Sequence, residues 1–456
     1  MRILFVYPNF NLPKRINHGV ACLSAFLKQH RNEVSLLQIN SKSDLKKIKK
    51  VQEIKPDLIL FSVSTTQWQI SKYLIKEISV FSKARIFVGG VHPTVSPECI
   101  YELEEISGIC RGEGEYPLLY LIEKIKKNEP LNNLANFWVK DRKNVIKNGI
   151  LPLIDNLDEL PLPDWDIFEE ESLLGYPSFS FSRGCPFACG YCINSALRII
   201  YKDKGNYVRV KSVHSAIEEI KDKVEKYRLK MINFDDDVFL KDRAWLKEFC
   251  DRFKKEIGIF FNCNARPENI DDETCVILKK AGAKFIGIGI ESGDENIRRE
   301  MLGRYLSDDQ IVNSFKIVRA HGLKSYAFNM IGIPGENVDK FKKTIEINKK
   351  ITPDDLQISI FYPFPGTPLG ELCKNKDFVK YKSGYGYFDQ STLKMKEFPR
   401  SQIHKYFDRF EYLVYKDSNI KKAFKFRISK IIRRHKVLNL ISAPLISIFK
   451  NLHSRS

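Results

Sequence analysis

The sequence holds no run of eighteen apolar residues free of charge, so it lacks a segment able to cross a bilayer as a single helix. Its first strand-like stretch, Arg2 to Tyr7, has neither the length nor the flanks of a signal peptide, and a cytoplasmic location is the expectation. Acid is missing from one region. Between Lys421 and Ser456 there are ten Lys and Arg and no Asp or Glu, about half of the formal net charge of +19. Such a charge suits nucleic acid, an anionic lipid surface or an acidic substrate, but its concentration in a tail leaves the body only moderately basic. Cysteine is plentiful yet not spaced for disulfides. Of ten cysteines, three crowd into Cys185–Cys192 and the others are scattered through apolar stretches, which reads as a metal site in a reducing compartment.

With 43% hydrophobic and 29% charged residues, the chain is neither disordered nor fibrous, and 456 residues exceed one ordinary domain. From residue 1 to about 130, β-rich runs (RILFVYP, EVSLLQIN, LILFSV, ARIFVGGV, GICRG) alternate with helices beginning near His18, Ser43, Trp68, Pro97 and Glu115. That alternation predicts an α/β domain with a parallel sheet, flavodoxin-like or Rossmann-like, whose ligands bind beyond the strands' carboxyl ends. The loops there are Pro8 to Asn11, Ser62 to Gln67, Gly89 to Pro97 and Gly112 to Glu115. A hairpin around Asp141 to Asn144 and a proline- and acid-bearing linker are expected over 131–170.

A second βα series then runs through YPSFSFSRG, KMINFDDDVFL, GIFFNCNARPE, AKFIGIGIES, LKSYAFNMIGIPGE and DLQISIFYPFPGTPL. Six units predict a partial (β/α)6 barrel over 171–372, with its chemistry at the strands' carboxyl ends. A helical extension with a basic amphipathic tail is expected over 373–456. In the tail, Phe424, Phe426, Ile428, Ile431 and Ile432 recur among basic residues, and VLNLISAPLISIF follows, interrupted by Pro444 and too short to span a bilayer. Two readings stay open: a helix lying peripherally on an anionic membrane, or a solvated face closing the barrel. Nucleic acid is not an expected partner, because no recognition module accompanies the charge.

The sharpest signal is RGCPFACGYC, where Cys185, Cys189 and Cys192 form C-x3-C-x2-C directly after the first barrel strand. Three thiolates on one loop can ligate three irons of a four-iron cluster and leave the fourth open, whereas a zinc knuckle needs a fourth Cys or His that the loop lacks. With Tyr191 before the third cysteine, this stretch resembles the radical S-adenosylmethionine superfamily, over about residues 175 to 370. The resemblance implies a 4Fe-4S cluster whose open iron binds S-adenosylmethionine and cleaves it reductively to a 5′-deoxyadenosyl radical. It implies an external electron donor of flavodoxin or ferredoxin type.

Other strand ends are expected to serve the same ligand. Asp236 and Asp237 end the second strand, where the resemblance implies acceptors for its amino group, or else they sit in a helix N-cap region before Arg243. Glu291 and Ser292 end an apolar strand, where a carboxylate is costly unless it meets ribose hydroxyls or a cation. Arg266 offers a fork to the ligand's carboxylate, or bridges to Glu291. Gly332 and Gly335 allow close approach to an adenine ring, or form a plain turn. Cys263 reads as a packed residue.

GGVHPTVSPE at Gly89 to Glu98 and RGEGEYP at Arg111 to Pro117 resemble the cobalamin-binding domain that precedes many barrels of this superfamily. The resemblance implies that Gly89, Gly90, His92, Thr94, Gly112, Glu113 and Gly114 line a corrin, with Ser62 and Thr65 donating to its buried tail. The D-x-H-x-x-G sequence that supplies a histidine to cobalt elsewhere is absent. The expected reaction is methyl transfer to an unactivated carbon of a small-molecule or lipid-linked substrate. The alternatives are a radical cyclisation or rearrangement on the same scaffold, and a non-catalytic cofactor-binding sensor.

Overall fold

The computed structural model describes residues 1–10, 14–237, 239–240, 242–380, 386–388 and 390–434. The five amino-terminal β-rich runs become β1 (Arg2–Tyr7), β2 (Glu33–Gln38), β3 (Leu58–Ser62), β4 (Arg85–Gly89) and β5 (Gly108–Cys110), parallel in the order β2-β1-β3-β4-β5. Their continuous apolar runs suit strands covered on both faces. Ile3 and Phe5 pack with Val20, Leu27 and Leu121 on one side, and Leu4 and Val6 with Ile75 and Ile78 on the other. The strand order reverses between β1 and β3, so the crevice of this domain opens at their carboxyl ends.

The hairpin read around Asp141 to Asn144 forms as β6 (Phe137–Asp141) and β7 (Asn144–Lys147). It extends the first sheet beyond β5 by antiparallel pairing. The pairing is tight: a side chain at Gly108 would meet the Trp138 carbonyl oxygen and the Phe87 ring. Two helices differ from expectation. The one near Ser43 is of 3-10 type over Lys42–Lys50, and the polar loop after β4 contains a short helix, Val91–Val95, before a 3-10 turn at Pro97–Glu102.

The second domain contains β8 (Ser178–Phe179), β9 (Ser182–Arg183), β10 (Arg209–Val210), β11 (Met231–Phe234), β12 (Phe260–Ala265), β13 (Ala283–Glu291), β14 (Lys324–Ile331) and β15 (Asp355–Ile360). Six of these form an open, all-parallel sheet in the order β8-β11-β12-β13-β14-β15, which is the expected partial barrel. Its first run is split. Only Ser178 and Phe179 pair with β11, after which Ser182–Arg183 leaves the sheet to pair antiparallel with Arg209–Val210. The intervening helices Val213–Tyr227, Arg243–Glu256, Asp272–Ala281, Asp308–Ala320 and Val338–Ile351 start at Ser212, Asp242, Asp271, Ser307 and Asn337. Each of these caps accepts a backbone N–H in the first turn.

An aromatic cluster fixes the amino-terminal half of the barrel. The buried Phe234 ring, at the end of β11, lies 4.6 Å from Phe239, 5.1 Å from Phe261, 5.4 Å from Phe249, 5.8 Å from Phe181 and 6.1 Å from Phe253. Helix Arg243–Glu256 is thereby held on β11 and β12, with the Asp235–Asp237 segment directly above. Beyond β15, helix Arg400–Tyr415 covers helix Val338–Ile351 through Phe341, Tyr406 and Phe410, and Tyr415 Oη donates to the Pro353 carbonyl at 2.9 Å. Helix Ile420–Arg434 folds back on it, with the Phe426 and Tyr415 rings stacked at 5.8 Å. Among the described residues no helix is long and apolar enough to cross a membrane, and VLNLISAPLISIF lies outside them.

Replacing Phe234 by Ala removes the common member of this cluster. It is expected to destabilise the protein by about 3–5 kcal/mol, read as a lowered midpoint in denaturant unfolding followed by Trp fluorescence.

Candidate functional site

The cysteine loop begins at a residue that has to be glycine. Gly184 has φ +82°, and a Cβ there would collide with the Tyr207 carbonyl oxygen. Arg198, on the helix Ile193–Ile200 that follows the loop, donates to the carbonyl oxygens of Cys185 (3.1 Å) and Pro186 (2.8 Å). Gly190 N donates to Leu302 O at 3.0 Å and its carbonyl accepts from Leu369 N at 2.9 Å, so later barrel segments clamp the loop as well. Cys185 and Cys189 are buried, Cys192 is half-buried, and all three thiols are free. Burial pushes the Cys185 thiol up and the Cys192 thiol up to about 11, so in the bare protein both are neutral. Bound iron would reverse that, because a coordinating thiol is deprotonated outright. Among the described residues no three His, Cys, Asp or Glu side chains gather to hold one metal ion. Cysteines strung along a loop suit a polynuclear cluster, in which each ligates a different iron.

Strand β13 ends beside this loop. Glu291 takes a left-handed backbone, φ +67°, which a non-glycine residue holds only when its surroundings fix it. Burial raises its pKa and Arg304 opposes that shift. The Arg304 guanidinium, itself buried, lies 3.4 Å from Glu291 Oε1 and 3.3 Å from Tyr191 Oη, and donates to Gly289 O at 2.6 Å. The bridge to Glu291, one of the two readings of Arg266, is therefore made by Arg304, a residue that no motif had marked. Arg266 turns instead to the cysteine loop, donating to Cys189 Sγ at 3.1 Å. Ser292 is fully buried and shapes a turn: its Oγ accepts from Asp294 N at 3.2 Å, and its carbonyl accepts from Arg298.

The two acids after β11 divide their work, and neither caps the following helix, which is the role of Asp242. Asp236 Oδ1 accepts from Phe181 N (2.8 Å), Ser182 N (2.7 Å) and Ser182 Oγ (2.6 Å), bracing the chain where it enters the cysteine loop. Burial pushes its pKa up to about 6, and its Oδ2 has no partner within the protein. Asp237 accepts from Asn194 Nδ2 at 3.0 Å, and that amide also lies 3.8 Å from Cys192 Sγ. Gly332 and Gly335 have φ of +82° and +81° and form a turn closed by a residue the sequence did not mark. Glu336 accepts from Gly332 N at 2.7 Å, and burial pushes its pKa up to about 8. Cys263 is buried in β12, as expected.

In the first domain, Gly90 has φ +96° and the Val63 backbone lies 2.8 Å from where its Cβ would stand, whereas Gly89 has ordinary room. Thr94 Oγ1 donates to Gly90 O at 2.7 Å and accepts from Gly112 N at 2.9 Å, tying the loop after β4 to the loop after β5. Ser62 pairs with Gly89 across β3 and β4 and is half-buried. A Cβ at Gly114 would lie 3.3 Å from Leu23 Cδ2. Both oxygens of the Glu113 carboxylate are taken by protein donors. Oε1 accepts from Arg183 and Arg209, both at 2.9 Å, and Oε2 from Arg209 (3.1 Å) and Ile154 N (2.8 Å). Burial raises its pKa, but the two guanidiniums outweigh that and hold it below the usual range. Its assigned contact with a corrin gives way to a clasp between the domains, shared by Glu115, which meets Arg183 at 2.6 Å.

Residues 179–347 match the radical SAM superfamily and residues 15–122 match the B12 binding domain. The chain therefore belongs to the cobalamin-dependent radical S-adenosylmethionine enzymes. Among curated relatives, an uncharacterized methyltransferase of Pyrococcus horikoshii is 28% identical over 372 residues, 80% of this chain and 79% of the relative. The anaerobic magnesium-protoporphyrin IX monomethyl ester cyclase of Rubrivivax gelatinosus is 24% identical over 410 residues, 84% of this chain and 72% of the cyclase. The structure of the radical S-adenosylmethionine methyltransferase TsrM from Kitasatospora setae, with cobalamin and a 4Fe-4S cluster bound, aligns with a TM-score of 0.68. Its identity is 16%, with 89% of this chain and 81% of TsrM covered. OxsB, a cobalamin-dependent S-adenosylmethionine radical enzyme, aligns with a TM-score of 0.70 at 20% identity, covering 99% of this chain and 75% of OxsB. At these identities the structural likeness shows the fold.

The cofactors of this domain pair are a 4Fe-4S cluster, S-adenosylmethionine and cobalamin, and the residues present fit them. Three free thiols without a fourth protein ligand on their loop suit an iron cluster with one open corner. At the carboxyl ends of β2, β3 and β4, Asn40 Nδ2, Thr65 Oγ1 and both ring nitrogens of His92 are buried without a partner in the protein. A large polar cofactor lying there would meet such groups.

Burial lowers the pKa of His92, packed 4.9 Å from the Trp68 ring, to about 4. An unfolded histidine titrates near 6.5, so as pH falls the unfolded chain takes up the proton first. The stability owed to neutral His92 is complete above about pH 6.5 and lost as pH falls towards 4. Between pH 7 and 4.5, cobalamin-free protein is expected to lose about 2 kcal/mol more than the His92→Gln variant, measured by urea unfolding across that range.

Proposed function

We propose that this enzyme transfers a methyl group to an unactivated carbon of a small-molecule or lipid-linked substrate. The observation that carries the reading is the meeting of the two cofactor regions. Helix Ile193–Ile200 runs from Cys192 to the first domain, where it lies against helix Val91–Val95, and Tyr201 Oη stands 3.1 Å from the position a Cβ would take at Gly112. The relative from Pyrococcus horikoshii, a methyltransferase by name, supports the choice of reaction. When bound, the cluster supplies the electron that cleaves S-adenosylmethionine to methionine and a 5′-deoxyadenosyl radical, and cobalamin supplies the methyl group.

Within this reading Cys185, Cys189 and Cys192 hold the cluster. Asp237 and Glu291 accept from the amino and ribose donors of S-adenosylmethionine, Tyr191 and Gly332 bound its site, and Ser62, Thr65, His92 and Thr94 face cobalamin. Asp236 and Ser292 support these groups from behind. An external one-electron donor of flavodoxin or ferredoxin type completes the system. The chain divides functionally near residues 130 and 170, with the barrel ending near 372.

Ring closure or rearrangement on the same scaffold is the second reading, favoured by the name of the Rubrivivax gelatinosus relative. Co-products separate the two. Anaerobically reconstituted protein, given reductant, S-adenosylmethionine and a small-molecule extract, is expected to release S-adenosylhomocysteine and 5′-deoxyadenosine in about equal amounts. Release of 5′-deoxyadenosine alone would move the assignment to rearrangement, and release of neither would favour a cofactor-binding sensor. Triple replacement of the cysteines by Ala is expected to abolish both.

The carboxyl-terminal helix supports a peripheral membrane contact. One face, with Ala423 and Phe426, packs on helix Arg400–Tyr415. Ile420, Phe424 and Ile428, four residues apart and therefore in one stripe, remain 48%, 47% and 55% exposed among exposed Lys421, Lys425 and Arg427. Apolar side chains flanked by cations and no acid suit an anionic lipid surface. The full chain is expected to sediment with vesicles containing phosphatidylserine and not with pure phosphatidylcholine. A chain ending at residue 419 that still sedimented would remove the assignment.

A further inference from the structure

The Arg266 side chain is committed on every edge. It leaves the carboxyl end of β12 and is 13% exposed. Nε donates to Glu268 Oε1 at 2.8 Å and Nη2 lies 2.5 Å from the same oxygen, so the edge that would grip a ligand carboxylate is already occupied by a protein carboxylate. The guanidinium carbon lies 3.8 Å from the centroid of the Phe187 ring, a residue of the cysteine loop itself. What remains is Nη1, which donates to Cys189 Sγ at 3.1 Å. The three cysteines are unequal in this respect. Cys192 has a neutral amide, Asn194 Nδ2, at 3.8 Å, and Cys185 accepts from the Phe187 backbone N–H. Cys189 alone among them has a fixed cation within hydrogen-bond distance.

We infer that Arg266 tunes the iron cluster, its guanidinium raising the cluster's reduction potential through the hydrogen bond to Cys189, and that it does not bind the carboxylate of S-adenosylmethionine. The inference rests on the assignment of the three cysteines as cluster ligands. One electron from the external donor adds negative charge to the cluster, part of it carried by the ligating sulfurs. A donor fixed on one of those sulfurs stabilises the reduced form more than the oxidised form. Glu268 offsets some of the positive charge at longer range while it and Phe187 prevent the guanidinium from swinging away. The consequence is a cluster that a donor of only moderately low potential can reduce.

The test is a potentiometric titration of the anaerobically purified holoprotein, followed by the electron paramagnetic resonance signal of the reduced cluster, with iron and sulfide measured on each sample. Arg266→Gln is expected to make reduction less favourable by about tenfold in the one-electron equilibrium, or ~59 mV more negative, with S-adenosylmethionine affinity changed less than twofold. Arg266→Lys, which keeps the charge without the fork, is expected to fall between. A Gln variant with a full complement of iron and an unmoved potential overturns the inference, and weakened S-adenosylmethionine binding with that unmoved potential returns Arg266 to the carboxylate. Should the Gln variant lose iron, the Lys variant decides by the same criterion. Absence of a 4Fe-4S cluster from the wild-type protein would instead strike the underlying assignment.

Discussion

The geometry of both cofactor regions depends on one buried cluster of charge. Arg183 and Arg209 stand directly opposite each other in the β9–β10 pair, an arrangement that repels unless something negative lies between them. Glu113 supplies that charge from the other domain, with Oε1 at 2.9 Å from each guanidinium, and Glu115 takes the remaining edge of Arg183. Such a network adds little net stability over an apolar contact of the same shape, because four groups have lost water. Its value is in register. Removing Glu113 would leave Arg183 and Arg209 facing each other with nothing negative between them, so the two sheets have one arrangement in which the charges balance.

That arrangement matters because Arg183 lies two residues before Cys185, the first cysteine of the loop. The chain between β8 and Cys185 has few sheet hydrogen bonds of its own, since only Ser178 and Phe179 pair with β11. It is held from two sides: Asp236 takes the backbone N–H groups of Phe181 and Ser182, and the first domain takes Arg183. A short first strand gives the cysteine loop freedom to stand away from the sheet, and the two braces remove that freedom again. The loop is therefore positioned jointly by the barrel and by the cobalamin domain. A helix running directly from Cys192 to the Gly112 turn completes the connection.

The parts of this design that are local in sequence could be read in advance. The spacing of Cys185, Cys189 and Cys192, the alternation of apolar runs with amphipathic helices, and the turn glycines at 90, 112 and 332 each express a constraint confined to a few residues. The partners of charged groups could not be read in this way. Arg304 reaches Tyr191 across 113 positions, Arg266 reaches Cys189 across 77 and Glu113 reaches Arg183 across 70, and no periodicity links such pairs. For Arg266 the sequence offered a ligand carboxylate or Glu291, and the thiol it meets, Cys189, lies too far along the chain for any local pattern to point to. The hairpin was legible as a hairpin. Its attachment to β5 was not, because pairing of a sheet edge depends on which strand is left uncovered.

The distribution of unsatisfied polar atoms carries the last step. Asn40, Thr65 and His92 in the first domain, and Asp236, Arg304 and Glu336 in the second, each bury a side-chain atom without a partner, and all six lie on or beyond the carboxyl-terminal side of the strands. Native interiors satisfy most such groups, at a cost of roughly 1–3 kcal/mol for each one left unmade. Other buried atoms without a partner, among them Glu105 Oε2, Trp165 Nε1 and Asn269 Oδ1, lie elsewhere, but these six stand at strand ends, where the fold tolerates the local instability of leaving them unmade. Ligands that satisfy those atoms bind the folded chain in preference to the unfolded one, so stability is coupled to loading by mass action. The clasp at Glu113 keeps the two sheets in register while that coupling operates, and rigidity is thus placed between the cofactor regions and not within them.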